Sequence, residues 1–106
     1  MKLTEILSGL EGLKSKGNLE IDVSNVTSDS REIKKGDMFV AIKGFDTDGH
    51  NYLQSAIANG AKVIMVEDLE PVKALDLPED VTLLLAKDTR KALAICSCNF
   101  YDNPSR

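Results

Sequence analysis

An α/β fold is what this sequence predicts: one domain, residues 1–106, with a mixed or mostly parallel sheet flanked by helices. Three observations carry that expectation. A continuous apolar run at 38–42 and a second at 63–66 have the length of strands buried on both faces, and 81–86 is a third apolar run. Around them, apolar residues recur at three- and four-residue steps, as on the buried stripe of a helix. The connections between the runs are long enough for the crossovers that parallel strands require.

Taken in order, Leu3, Ile6, Leu7, Leu10 and Leu13 make the first helical stripe, which Gly17 and Asn18 break. Leu19, Ile21 and Val23 alternate with Glu20 and Asp22, the pattern of a half-exposed strand. A polar loop, 24–35, leads to the buried strand at 38–42. Leu53, Ala56 and Ile57 predict a second helix, with Asn51 as its N-cap and Gly60 as its stop. A strand at 63–66 follows, then a connection punctuated by Pro71 and Pro78 with room for one helical turn. After the run at 81–86, Asp88 caps a last helix that turns Ala92, Leu93, Cys96 and Phe100 inward.

Composition narrows the function. With 106 residues and 42% apolar content, a single packed core is expected. A formal charge of −4 argues against a nucleic-acid footprint, which needs a basic face. A small nucleotide stays compatible, because backbone N–H groups can hold a diphosphate. The first residues mix charged and apolar side chains without a signal core, and no apolar run reaches the roughly 18 residues of a membrane helix, so a cytoplasmic location without membrane partners is expected. Cys96 and Cys98 are two apart in a helical segment, where they point to different faces; they read as a small apolar filler and a partly exposed thiol.

The chemistry-bearing residues cluster between 27 and 50. Gly44 and Gly49 have the spacing of a phosphate-binding loop, but His50 and Asn51 stand where Lys and Ser or Thr are needed; Gly12 and Gly17 fail likewise, before Asn18 and Leu19. Asp46, Asp48 and His50 alternate, yet a calcium loop would need glutamate where Ile57 sits, and a solvated turn is the commoner reading. No metal site is therefore assigned. His50 has no nucleophile beside it in sequence, so closing the loop is preferred to general-base work, and no catalytic residue is assigned. Ser28 and Ser30 flank Asp29 after a strand, where a turn rigidified by Asp29 would present Ser30 in a fixed direction.

The wording of these loops is specific. Thr-Ser-Asp-Ser-Arg at 27–31, Gly-Asp-Met-Phe-Val-Ala at 36–41, Gly-Phe-Asp-Thr-Asp-Gly-His at 44–50, Gly-Ala before the strand at 63–67, Asp-Thr-Arg at 88–90 and Tyr-Asp-Asn-Pro-Ser at 101–105 together resemble the N-terminal domain of the Mur ligases. The MurE type, which adds a diamino acid to UDP-N-acetylmuramoyl-L-alanyl-D-glutamate in peptidoglycan precursor synthesis, is the better match. The MurF type shares several of the motifs, and a non-catalytic regulatory module on the same scaffold is the rival from another class. The resemblance implies ATP-driven amide formation in a longer enzyme. ATP and Mg²⁺ would serve central and C-terminal domains absent from these residues, so this chain alone would be inactive and hold no cofactor. Its implied partner is the UDP end of the substrate. Ser30 would hydrogen-bond the UDP-sugar, Ser28 would meet the nucleotide through its backbone, and Phe45, Asp46 and Thr47 would contact the uracil, with Phe45 a candidate to stack on the base. Asp29, Arg31, Asp48 and His50 would mainly shape the loops.

Overall fold

The structure, a computed structural model, describes residues 1–42, 48–73, 75 and 77–101. Among the described residues five strands form one sheet in the order β1-β5-β4-β3-β2. They are β1 (Lys14–Lys16), β2 (Val26–Thr27), β3 (Met38–Val40), β4 (Val63–Val66) and β5 (Thr82–Leu85). The strands from β2 to β5 are parallel neighbours, and β1 alone runs antiparallel, on the outer edge of β5. Four α-helices accompany them: α1 (Leu3–Ile6), α2 (Leu53–Ala58), α3 (Glu70–Lys73) and α4 (Thr89–Tyr101). No helix among the described residues is long and apolar enough to cross a membrane.

Alternation along the central strands divides the core into two layers. Met38, Val40, Val63, Met65 and Leu84 pack with Leu3 and Ile6 of α1 and with Ala92 and Cys96 of α4. Phe39, Ile64 and Val66 face the other way, onto Leu53 and Ala56 of α2 and Val72 of α3. The sheet is thus covered on both sides, which is why β3 and β4 are apolar at every position rather than at every second one. Cys96 is wholly buried in the first layer, where loss of solvent pushes its thiol up to about 11; Cys98 is exposed.

The mostly parallel α/β sheet agrees with the sequence expectation, as do the strand at 63–66 and the cap at Asp88, whose carboxylate accepts from Lys91 N at 3.0 Å. Three expectations need correction. The first apolar stripe is not one helix. Helix α1 ends at Ile6, because Gly9 (φ 92°) and Gly12 (φ 70°) turn the chain in a conformation that breaks a right-handed helix. Leu10 and Leu13 still pack on the same core layer, so the spacing recorded burial and not continuous helix. Asn99 takes up the carbonyls this early ending exposes, donating to Ile6 O at 2.8 Å and Ser8 O at 2.7 Å.

The alternating segment 19–23 is not a strand of the sheet. The edge of β5 is already occupied by β1, whose two lysines leave it fully exposed. Gly17 (φ 116°) turns the chain away, so close to β5 that a Cβ there would stand 3.1 Å from Thr82 Cα. Residues 21–23 instead form a single bridge to the start of the chain, with Leu3 N donating to Ile21 O and Val23 N to Met1 O. The third correction concerns α2. Its approach is a 3₁₀ turn, Gly49–Tyr52, capped by Asp48, whose carboxylate accepts from His50 N at 3.0 Å; Asn51 lies within that turn.

Gly60 ends α2 as expected, at φ 112°, and the turn around Gly36 presses on it. A Cβ at Gly60 would come within 2.6 Å of Lys35 Cα, and Gly60 O accepts from Gly36 N at 2.9 Å. Replacing Gly60 by alanine should destabilise the domain by roughly 1–3 kcal/mol, the cost of forcing a non-glycine residue into this region of backbone space, with the contact to Lys35 adding to it. Urea unfolding monitored by circular dichroism measures this; a variant as stable as the parent would show that the α2 stop is not strained.

Candidate functional site

Parallel strands leave their carboxyl ends on one edge of the sheet, and ligands in open α/β folds bind outside that edge. Here the segments leaving β2 and β3 meet there in an open cleft of about 870 Å³, within the range of small-molecule sites, about 300–1,000 Å³. Residues 28–31 form one wall; Ile42, Gly49 and the outward face of the second helix form the other.

The 28–31 wall is fixed by short-range bonds that its residue types dictate. Thr27 Oγ1 accepts from Asp29 N at 3.1 Å. The Asp29 carboxylate caps a 3₁₀ turn, Ser30–Glu32, by accepting from Arg31 N at 2.9 Å, and it grips the Arg31 guanidinium at 3.0 and 3.1 Å. Those bonds from the Arg31 side chain, and then from its backbone N–H, hold the Asp29 carboxyl below the usual aspartate value and raise Arg31 in return. The Arg31 side chain stays 89% exposed. Ser28 is exposed, whereas Ser30 is 7% exposed yet still lines the cleft. Asn59, at the end of α2, donates to Ser30 O at 2.9 Å and so ties this wall to the opposite one.

The second wall depends on His50, which is 4% exposed. Its Nε2 accepts from Glu67 N at 3.0 Å and Asp68 N at 3.4 Å, beyond the end of β4, so the ring proton lies on Nδ1, which donates to Asp48 Oδ1 at 2.6 Å. Both ring nitrogens are occupied in holding the loop to the sheet, which leaves none for acid–base work. Gly49 is pressed onto the strand extension: its N donates to Ile42 O at 2.8 Å, and a Cβ would lie 2.6 Å from Ile42 N. The glycine is required by this close approach and not by its φ.

The structure therefore places Ser28, Asp29, Ser30 and Arg31 in one wall, with Asp48 and His50 shaping the base of the other. Phe45, Asp46 and Thr47 lie outside the described residues. Sequence reasoning missed Tyr52, Ser55 and Asn59, which line the cleft from the second wall. Their spacing of three and four was the available signal, since it lines them up along one exposed side of α2 and its two flanking residues, beside the stripe that buries Leu53 and Ala56. Among the described residues no group of three or more His, Cys, Asp or Glu side chains could hold a metal ion.

A mostly parallel sheet with an open cleft beyond the carboxyl ends of its strands places the chain in the open-sheet class of α/β domains. The model of the Mur ligase family, catalytic domain, matches residues 22–101, and the chain belongs to that family. It is 46% identical over 104 residues, 98% of its length, to UDP-N-acetylmuramoyl-L-alanyl-D-glutamate–2,6-diaminopimelate ligase of Clostridium tetani, and 43% identical over its full length to the ligase of the same name from Clostridioides difficile. It spans 21% of each of those relatives. Among solved structures it is similar to MurF from Acinetobacter baumannii, with a TM-score of 0.73 and 26% identity over 92% of this chain and 20% of that one.

The Asp29–Arg31 clasp carries a pH prediction. A carboxyl held below its ordinary value adds stability above pH 3.8, and that contribution is lost as pH falls through the lower folded value. The Arg31 amide resonance should therefore titrate with a midpoint below 3.8. A midpoint at or above that value would mean that the clasp does not persist in solution.

Proposed function

We propose that this chain is the UDP-binding N-terminal domain of an ATP-dependent ligase that joins 2,6-diaminopimelate to UDP-N-acetylmuramoyl-L-alanyl-D-glutamate, a step of peptidoglycan precursor synthesis. The observation that carries the reading is the meeting of the 28–31 and 48–52 segments in one cleft at the carboxyl edge of the sheet. The named activities of relatives at 43–46% identity support the choice of reaction. The MurF reading has the solved structures in its favour, but at 26–30% identity.

In this reading Ser30 hydrogen-bonds the UDP-sugar and Ser28 meets the nucleotide through its backbone, while Phe45, Asp46 and Thr47 contact the uracil. Arg31, clasped by Asp29 but exposed, offers positive charge near the diphosphate in a domain of net charge −4. Binding the nucleotide end, remote from the carboxylate that reacts, positions that carboxylate and lowers the entropic cost of the reaction. ATP and Mg²⁺ belong in this reading to the part of the enzyme beyond these residues. The glycine pair at 12 and 17 lacks the lysine and hydroxyl that phosphates and magnesium require, and no metal-ligand cluster stands among the described residues.

Calorimetric titration of this chain with UDP tests the reading. Binding is expected, without any hydrolysis of ATP, and Ser30→Ala should weaken it by about 1 kcal/mol, roughly fivefold, the worth of one neutral hydrogen bond. Absence of UDP binding would overturn the reading; unchanged affinity in the variant would remove Ser30 from the contacts.

A further inference from the structure

The fold makes structural use of one of the chain's two tyrosines and not of the other. The Tyr101 hydroxyl donates to Asn25, and its ring meets Phe100 edge-on at 4.9 Å. Tyr52 is 43% exposed and makes no hydrogen bond or ring contact among the described residues. It lines the cleft together with Arg31.

Its surroundings have a particular chemistry. Tyr52, Ile42 and Ala58 make part of the cleft apolar, while Ser28, Ser30 and Asn59 supply polar groups beside them. A nucleobase has the same division, with an apolar π face and an edge of hydrogen-bonding atoms, and base–aromatic stacking is a large and sequence-tolerant contribution to nucleotide binding. The 3₁₀ turn that carries Tyr52 is anchored by the buried His50 and by Gly49 on Ile42, so the ring starts from a fixed backbone. A diphosphate alone would gain nothing from an aromatic surface placed there.

We propose that Tyr52 is the stacking platform for the uracil base, opposite the polar 28–31 wall. The proposal rests on the reading of the cleft as a UDP site. It makes the aromatic face, and not the phenol hydroxyl, the contact that matters, and it assigns to Tyr52 the stacking role that sequence alone offered to Phe45.

Calorimetry with UDP on this chain and on Tyr52→Phe, Tyr52→Leu and Phe45→Leu variants decides the matter. Tyr52→Phe should bind within about twofold of the parent, whereas Tyr52→Leu should bind about tenfold more weakly, the loss expected for one base–aromatic stack. Because position 52 is exposed, an unchanged amide spectrum outside the cleft confirms that the leucine variant is folded. In a Tyr101→Phe background, where Tyr52 is the remaining tyrosine, its ring protons should shift on addition of UDP. A parent chain that does not bind UDP overturns the reading of the cleft and the proposal with it. A parent that binds, with Tyr52→Leu unchanged, overturns the proposal alone. So does a Tyr52→Phe variant as weak as Tyr52→Leu, or a loss confined to Phe45→Leu.

Discussion

The cleft depends first on a buried imidazole. His50 joins Asp48, in the loop after β3, to the backbone N–H groups that follow β4, using both ring nitrogens. That link ties the residues at 48–50 to the end of β4, alongside the bond from Gly49 N to Ile42 O. Without the imidazole, Glu67 N and Asp68 N, both part-buried, would lose their acceptor. The packing of Gly49 onto Ile42, where a Cβ would lie 2.6 Å from Ile42 N, holds the neighbouring residue against the strand extension. The result sets Tyr52, Ser55 and Asn59 along one wall of a cavity.

The opposite wall is held by independent means. Thr27, Asp29 and Arg31 close a local network that starts from the end of β2, and Asn59 then links it across the cleft through Ser30 O. Fixing each wall before a ligand arrives reduces the ordering that binding must otherwise impose. A domain whose task is to hold one end of a long substrate gains from such preorganisation, because affinity spent on ordering loops is not available to position the distant reacting group.

Much of this was legible in the sequence because it follows from burial. The apolar runs at 38–42, 63–66 and 81–86 contain β3, β4 and β5, the first two buried at every position and the third fully buried at alternate ones. Gly60 was legible because a glycine after a helical stripe has few other uses. The first 23 residues were not, because apolar spacing reports which side chains reach the core and is indifferent to whether a helix or a turned chain delivers them. Leu10 and Leu13 reach the core from a segment bent by Gly9 and Gly12. The alternation of 19–23 was misleading for a related reason: it fits any edge, and the edge of β5 had already been filled by β1, two of whose three residues are lysines. At the cleft, the loop motifs singled out Ser28, Asp29, Ser30 and Arg31, whereas Tyr52 and Asn59 are exposed residues flanking a helix whose buried stripe drew attention.

The central claim is that two turns from separate strands form a single seat for a uridine nucleotide. Amide chemical shifts of this chain, followed during titration with UDP-N-acetylmuramoyl-L-alanyl-D-glutamate, test it most directly. The account predicts that the perturbed resonances fall together at residues 28–31 and 48–59, with the far edge of the sheet at 14–16 unmoved. Saturable shifts at 14–16 or along α4, with both turns silent, would contradict it.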